Sequence, residues 1–234
     1  MVVASLPAFR FLLARGELVA SHRGSPTPMN KPIRFAGAFA GLLSALATSS
    51  LSAESRQLFN GKDLTGWKFH GRVAKQSSWD VQNGVLRNVL SGKRVGTNLV
   101  TSEDFWNFTL RFQFQVPEGS NSGVYLRGRH EIQLTGDYSA RKVSAAGNGA
   151  IWNVKAPDEY ASKPSGEWQT MEITMLGNTV TVVLNGATIH AKVAVHQATH
   201  GAIDQKVNSP GPIMLQGTHG AIKFRNLEIT ELPR

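Results

Sequence analysis

Residues 108–134 read FTLRFQFQVPEGSNSGVYLRGRHEIQL, and this stretch decides the fold class. From Phe108 to Val116 every second residue is apolar, and the residues between them are Thr, Arg or Gln. Such alternation is typical of a strand that buries one face. Residues 117–123 are rich in Gly, Ser, Pro and Asn, which predicts a turn. Shorter alternating runs follow at 124–127 and 131–134, so the stretch predicts a series of half-buried strands.

The same pattern continues towards the carboxyl terminus. Residues 170–175 alternate polar and apolar, and Gly177-Asn178 predicts a turn into the β-rich run 180–184. Asn185-Gly186 is a strong hairpin signal, and residues 221–231 predict a last strand. No stretch after residue 57 has a sustained helical period. About a dozen short strands at this spacing favour an all-β jelly-roll β-sandwich of two antiparallel sheets.

The outward sides of these strands carry polar groups. Apolar sides must face the other sheet, so the alternating polar side chains point outward or line a groove. Six of them, on adjoining strands, are expected to share one face: Arg111, Gln113, Tyr125, Arg127, Glu131 and Gln133. Charged and amide groups beside an aromatic ring suit sugar hydroxyls and sugar rings. An ordinary solvated sheet face is the alternative, and composition alone leaves both interpretations open.

The first 53 residues predict a targeting segment rather than part of the fold. In residues 29–53, Lys31 and Arg34 precede an apolar run at 35–47 and a small-residue region, SSLSA, which is the layout of a secretory signal peptide. The apolar run is shorter than the roughly 20 residues that cross a bilayer. We expect residues 1–28 to be an upstream extension of a chain that starts at Met29. The mature domain, residues 54–234, is then periplasmic or secreted.

Charge and cysteine content exclude several classes of protein. The whole chain has a formal charge of +9, but five of its 25 basic and one of its 16 acidic residues lie in residues 1–53, which leaves +5. These charges are dispersed, so nucleic-acid binding is not expected. The chain has no cysteine, which excludes a cysteine nucleophile and thiolate metal sites. The mature chain has no candidate membrane span, and its oligomeric state is left open.

Several ordered segments of the mature chain point to a known family. They are LFNGKDLTGW (58–67), WDVQNGVL (79–86), NSGVYLRG (121–128), EIQL (131–134), GEWQ (166–169), LNG (184–186), GPIMLQGTHG (211–220) and FRNL (224–227). In this order they resemble the 3-keto-disaccharide hydrolase family over nearly all of the mature chain. The resemblance implies a concanavalin-like jelly roll. It also implies cleavage of glycosides whose sugar carries a ketone at C3.

The resemblance also implies site residues. Arg127 matches the Arg that follows the Ser-Gly-Val-x-Leu strand, and Glu131 and Gln133 match the next strand, Glu-x-Gln. Asp137 lies near the family's acidic residue, although this chain has Leu-Thr-Gly-Asp where the family often has Ile-Leu-Asp. Trp152 stands where the family often has a Gly-Ala-x-Tyr segment, which makes it a candidate platform for a sugar ring.

A ketone at C3 makes the hydrogen on C2 acidic, so a base can remove it and the C1 substituent can leave. This route needs a base with a pKa near neutrality and donors aimed at the enolate oxygen. Glu131 and His219 are the candidates for base or acid, with Arg127 as a catalytic donor beside Gln133. The residues expected to bind the sugar are Tyr125, Gln133, Trp152, Arg111 and Arg225.

Three alternatives stay open at this point. A divalent cation is a possible Lewis acid, with Asp137, Glu131 and His219 as conceivable ligands. Glu131 and Arg127 can instead form a cross-strand ion pair, and His219 can be a solvated loop residue. A non-catalytic carbohydrate-binding module on the same sandwich would keep the aromatic and amide groups without needing the base. Ordinary retention with paired carboxylates has no support, because the Glu131 strand lacks a partner carboxylate.

Overall fold

The computed structural model describes residues 54–71, 77–90 and 96–234, and the predicted extension and signal peptide lie outside these ranges. The described residues form thirteen strands and one short 3-10 helix, Tyr138–Ala140. None of their helices has the length and hydropathy needed to cross a membrane. The strands are β1 (Ser55–Gln57), β2 (Trp67–His70), β3 (Trp79–Gln82), β4 (Val85–Asn88), β5 (Asn98–Thr101), β6 (Phe108–Gln115), β7 (Asn121–Leu126), β8 (His130–Thr135), β9 (Gln169–Leu176), β10 (Thr179–Leu184), β11 (Ala187–Ala194), β12 (Met214–Leu215) and β13 (Ile222–Glu231).

The strands form two sheets. The larger has the order β11-β10-β9-β6-β13-β4-β3, with β1 paired to residues 228–230 of β13. The smaller has the order β2-β5-β12-β7-β8. Every pairing between these strands is antiparallel. Neighbours in space are often distant in the chain, as jelly-roll connections require. The predicted concanavalin-like jelly-roll sandwich is therefore confirmed.

The core lies between the two sheets and follows the alternation in the sequence. Phe108, Leu110, Phe112 and Phe114 of β6 are buried, while Arg111 between them is exposed. The same core includes inward residues of the smaller sheet, namely Leu99, Val124, Leu126, Ile132, Leu134 and Leu215. Burial of these apolar faces against each other is what holds the sheets together.

A bulge in β13 keeps its apolar residues in phase with the core. The pairing of β13 with β6 shifts register between Arg225 and Glu228, and Asn226 has a φ of 53°. The additional residue lets Phe224, Leu227 and Ile229 all face inward. Without the bulge, the residues after Arg225 would face the wrong side of the sheet.

The predicted single polar face is wrong. Arg111 and Gln113 belong to β6 of the larger sheet, whereas Tyr125, Glu131 and Gln133 belong to β7 and β8 of the smaller sheet. The turn at 116–120 carries the chain from one sheet to the other, so the two outward faces lie on opposite sides of the sandwich. Alternation shows which residues face outward, but it does not show to which sheet they belong.

Candidate functional site

A polar pocket of about 130 Å³ lies on the outer face of the smaller sheet. Its base is the β7–β8 ladder, in which Tyr125 pairs with Glu131 and Gly123 with Gln133. On these strands Val124 and Ile132 face the core, so the alternate side chains face the pocket. Loops from the second half of the chain contribute Trp152, His200, Gly201 and His219 to the lining. We call this depression the inner pocket.

Glu131 is the acidic residue at the base of the inner pocket. Its side chain is only 3% exposed, and Oε2 accepts a hydrogen bond from the Tyr125 hydroxyl at 2.8 Å. Burial raises the pKa of the Glu131 carboxyl to about 7, against the opposing effect of hydrogen bonds from Tyr125 and Gln216. A carboxyl with a pKa near neutrality can act as a general base and then hold the proton.

The main chain of Glu131 is fixed on both sides. Its N–H donates to Thr199 Oγ1 at 2.9 Å, and its C=O accepts from the Trp152 N–H at 3.0 Å. The same two bonds attach the covering loops to β8. The carboxyl group therefore sits on a rigid strand, which keeps its position well defined.

Two glycines make room for the Glu131–Tyr125 pair. A Cβ atom at Gly123 would lie 2.3 Å from Glu131 Oε1, and one at Gly201 would lie 2.5 Å from the Tyr125 hydroxyl oxygen. Gly201 also has a φ of +84°, a conformation that favours glycine. Larger residues at either position would displace the carboxyl or the hydroxyl from the pocket.

The Tyr125 hydroxyl has one proton and two acceptors. It lies 2.8 Å from Glu131 Oε2 and 3.0 Å from the His200 carbonyl oxygen, and it accepts from Gln216 Nε2 at 3.2 Å. Burial, together with the Glu131 charge, raises the pKa of the Tyr125 hydroxyl, so it stays protonated. When Glu131 is ionised, its charged oxygen is the stronger acceptor. When Glu131 is protonated, it can donate to Tyr125, whose proton then turns to His200.

Amide side chains line the rest of the pocket. Gln133 Nε2 donates to Asn121 Oδ1 at 3.2 Å, which leaves its second N–H for a ligand. Gln216 is 7% exposed and lies directly after β12. Sequence reasoning missed Gln216, although it lies in the same GPIMLQGTHG segment as His219 and is the polar residue that ends the apolar run. Asn98 and Asn121, also missed, line the pocket as well.

The structure brings five of the sequence-predicted residues together in the inner pocket: Tyr125, Glu131, Gln133, Trp152 and His219. Trp152 is partly exposed, and His219 is exposed at the rim with Nδ1 2.9 Å from Thr218 Oγ1. That contact leaves Nε2 of His219 available to a ligand. The catalytic and binding roles of the five residues remain predictions.

Arg127 does not belong to this group, which corrects its predicted catalytic role. It occupies the β7–β8 turn with a φ of 52°, so the strand alternation ends before it. Its buried guanidinium lies 3.5 Å from the ring centre of Trp106 and donates to the carbonyl oxygens of Trp106 (2.9 Å) and Gly177 (2.5 Å). Burial lowers its pKa to about 10, which leaves it charged near neutral pH. Arg127 joins the turn to the neighbouring loops, because its guanidinium donates to Asn178 and to main-chain carbonyl oxygens rather than to the Glu131 carboxyl.

Arg111 and Arg225 were also predicted to bind the sugar, and both lie on the larger sheet. Arg111 Nε forms an ion pair with Glu172 Oε2 at 2.7 Å. Arg225 donates to Gln113 at 2.6 Å and stacks on Trp168 at 4.0 Å. Neither residue lines the inner pocket, because β6 and β13 belong to the larger sheet and the pocket lies on the outer face of the smaller one.

The conceivable cation ligands do not come together either. Asp137 lies beyond the end of β8, where Oδ2 accepts from the Asn148 N–H at 3.0 Å, and it does not line the inner pocket with Glu131 and His219. The described ranges contain no group of three or more His, Asp or Glu side chains placed to hold a metal ion. The residues therefore do not fit the three-ligand site, and Asp137 shapes a loop instead.

The loop that carries His200 is clamped to the β7–β8 turn. Arg129, which is 3% exposed, makes a two-point ion pair with Asp204, with distances of 2.6 and 3.1 Å. The Thr199 N–H donates to the Arg129 carbonyl oxygen, and the Ile203 N–H donates to that of Gly128, both at 2.9 Å. One wall of the inner pocket is thus fixed by partly buried, charge-assisted contacts.

Comparisons with known proteins agree with a carbohydrate-active protein. A family profile described as the 3-keto-alpha-glucoside-1,2-lyase-like domain matches residues 54–230. A 3-keto-disaccharide hydrolase of Bacteroides thetaiotaomicron is 30% identical over 73 residues, which cover 29% of this chain and 25% of that protein. The chain thus aligns with only a quarter of the length of this curated relative.

Solved structures share the fold. A protein of Parabacteroides distasonis described as a candidate glycosyl hydrolase has a TM-score of 0.63 and 28% identity, over 76% of this chain and 84% of that one. A β-glucanase of Bacillus licheniformis has a TM-score of 0.50 and 12% identity, over 79% of this chain and all of the other, which shows the fold alone.

The fold is a jelly roll, and the relatives that share it by sequence and structure are named for carbohydrate-active proteins. Because the family profile covers most of the sequence, the chain belongs to the 3-keto-alpha-glucoside-1,2-lyase-like domain family. The resemblance seen in the sequence is confirmed.

The raised pKa of Glu131 predicts a pH-dependent stability. Its pKa moves from 4.5 in the unfolded chain to about 7 in the fold. The folded state therefore binds this proton more tightly, and stability falls as pH rises from about 4.5 to 7. Glu131→Gln removes the buried charge, so we expect it to be more stable than the unmodified protein at pH 8, by about 3 kcal/mol.

Urea unfolding at pH 4.5 and pH 8 measures this effect. The free energy of unfolding of Glu131→Gln is expected to exceed that of the unmodified protein at pH 8, and this difference should be largely lost at pH 4.5. Glu172→Gln is the control, since Glu172 is exposed on the larger sheet. If Glu131→Gln changes the free energy of unfolding equally at the two pH values, the pKa of the Glu131 carboxyl is not raised in the fold.

Proposed function

We propose that the protein cleaves the glycosidic C1–O bond of 3-keto-glycosides by removing the proton from C2. The observation that carries this proposal is the buried carboxyl of Glu131, whose pKa is raised to about 7 in a pocket of about 130 Å³. Family membership supports the substrate class, since the profile and the curated relative are named for 3-keto sugars.

The reaction proceeds in three balanced steps. The Glu131 carboxylate takes the C2 proton, and the C–H electron pair forms the C2=C3 bond of an enolate with its charge on the C3 oxygen. The ketone then re-forms, a C1=C2 bond forms, and the C1–O bond breaks with its electron pair on the departing oxygen, which is protonated. Water adds across C1=C2, with its hydroxyl on C1 and a proton on C2, and the net result is hydrolysis.

Each pocket residue has a role in this scheme. Glu131 is the base, and the Tyr125 hydroxyl can hydrogen-bond to it whether Glu131 is ionised or protonated. The free N–H group of Gln133 stabilises the enolate oxygen, while Gln216 donates to Tyr125 and Glu131. His219, with Nε2 available, protonates the departing oxygen, and Trp152 contacts a face of the sugar ring.

The lining favours this route over ordinary glycoside hydrolysis. A retaining glycosidase needs two carboxyl groups about 5 Å apart, and an inverting one needs two at a greater separation. Among the described residues that line the inner pocket, Glu131 is the one with a carboxyl group. In the proposed reaction a second carboxyl is not needed, because the C3 ketone of the substrate makes the C2 proton acidic enough for a single base to remove.

The test compares a 3-keto-disaccharide with its unoxidised parent, with and without chelator. Release of monosaccharide from the keto compound alone is expected. Glu131→Gln should lower kcat by about 10²–10⁴-fold, the usual contribution of a general base. Glu172→Gln should keep the activity of the unmodified protein. Binding of the keto compound without turnover would instead identify a carbohydrate-binding module.

The pH profile tests the Glu131–Tyr125 pair. Since the base must be ionised, kcat/KM should rise as pH increases through about 7. Tyr125→Phe removes a hydrogen bond that favours the carboxylate, so the pKa of Glu131 rises and the profile moves to higher pH. Glu172→Gln is the control, because Glu172 lies on the larger sheet and its loss should leave the pH profile unshifted. If the pH profile of Tyr125→Phe is not shifted, Tyr125 does not stabilise the ionised form of Glu131.

Export is part of the proposal. It is supported by the signal-peptide pattern in residues 29–53 and by the start of the family match at residue 54. Expression from Met29 in a bacterial host, followed by mass spectrometry of the periplasmic fraction, should give a chain that begins near Glu54. Recovery of uncleaved protein from the cytoplasm would refute export.

A further inference from the structure

The outer face of β7 and β8 continues past the inner pocket. Tyr125–Glu131 and Gly123–Gln133 are followed by a third pair, Asn121–Thr135. There a second depression of about 380 Å³ opens, and Asn121 lines both depressions. We call it the outer pocket, and its lining includes Ser120, Thr135, Lys142, Ser144 and Ala146.

We propose that the outer pocket binds the departing sugar of a 3-keto-disaccharide while the keto sugar occupies the inner pocket. This inference rests on the proposed function, because it assumes that Glu131 acts on the ring in the inner pocket. It makes the preferred substrate a disaccharide rather than a glycoside with a small substituent.

The strand ladder provides the required length. Glu131 and Thr135 are four residues apart on β8, which corresponds to about 13 Å at the usual rise of a strand. That distance accommodates two linked sugar rings. The middle pair is Gly123–Gln133, and Gln133 donates to Asn121, the residue that lines both pockets.

His219 lies near the junction of the two pockets. The next residue, Gly220, packs so closely on the β6–β7 turn that a Cβ atom there would lie 2.4 Å from Ser120 Oγ and 2.7 Å from the Asn121 N. Ser120 Oγ also donates to the Ala221 carbonyl oxygen at 2.7 Å. The His219 segment is thus attached beside Asn121, where the oxygen that links the two rings would lie.

The far wall of the outer pocket is preorganised. Asp137 Oδ2 accepts from the Asn148 N–H at 3.0 Å, and a Cβ atom at Gly147 would lie 2.9 Å from the same oxygen. The Tyr160 hydroxyl donates to the Tyr138 carbonyl oxygen at 3.0 Å. Asp137 therefore helps to form the binding site by folding residues 137–148, although it does not reach the inner pocket.

The chemistry of the lining selects a neutral polar ring. Hydroxyl groups of Ser120 and Ser144, the Asn121 amide and the Lys142 ammonium can bond to sugar hydroxyls. Lys142 is exposed, and Asp137 at the same wall offsets its charge. A sugar with several hydroxyls is the ligand class that such a mixed, well-solvated lining can recognise.

A filling substitution tests this assignment with two substrates. Ala146 is exposed in the outer pocket, so Ala146→Phe occupies that space without changing the core. The kcat/KM of this variant should fall at least about tenfold for a 3-keto-disaccharide. It should stay within about twofold for the methyl 3-keto-glycoside, which lacks the second ring. Ala191→Phe, exposed on β11 of the larger sheet, is the matched control and should affect neither substrate.

The outcomes separate this inference from the proposed function. If Ala146→Phe changes both substrates equally, or changes neither, the outer pocket does not hold the departing sugar even though the cleavage reaction stands. If the unmodified protein cleaves neither keto substrate, the proposed function fails and the inference fails with it. Selective loss with the disaccharide supports both.

Discussion

The hydrogen bond between Glu131 and Tyr125 is the interaction on which the site depends. It joins neighbouring strands on the outer face of the smaller sheet, at 2.8 Å and with both side chains almost fully buried. Burial of the carboxyl would lower stability if it were not hydrogen-bonded. Gly123 and Gly201 provide the space, and the loops that carry Thr199 and Trp152 are bonded to the main chain of Glu131. The same burial that opposes ionisation gives the carboxyl a pKa suited to proton transfer near neutral pH.

The sequence allowed the fold to be predicted because strand alternation is a local property. Phe108 to Val116 buries its apolar side as expected, and the bulge in β13 shows how the chain corrects the phase when alternation is interrupted. Assignment of strands to sheets depends on long-range pairing, which a local pattern does not contain. That is why Arg111 and Gln113 were placed on the same face as Glu131, although the sandwich separates them.

The site was predicted in part for the same reason. Glu131, Gln133 and Tyr125 lie on adjoining strands, so alternation and family resemblance point to them together. Arg127 follows Leu126 by one residue, but its left-handed backbone turns its side chain away from the pocket. Gln216 directly follows β12 and reaches the Tyr125 hydroxyl because β12 lies beside β7, although it is some ninety residues later in the chain. The residues next to Gln216 in the sequence do not indicate its contact with Tyr125.

The clamp formed by Arg129 and Asp204 has a consequence for how a ligand is received. Because this wall is already held by a partly buried ion pair and by main-chain bonds, little of it needs to become ordered when a ligand binds. Most of the entropy lost on association then belongs to the ligand. This wall of the pocket is therefore in place before a ligand binds.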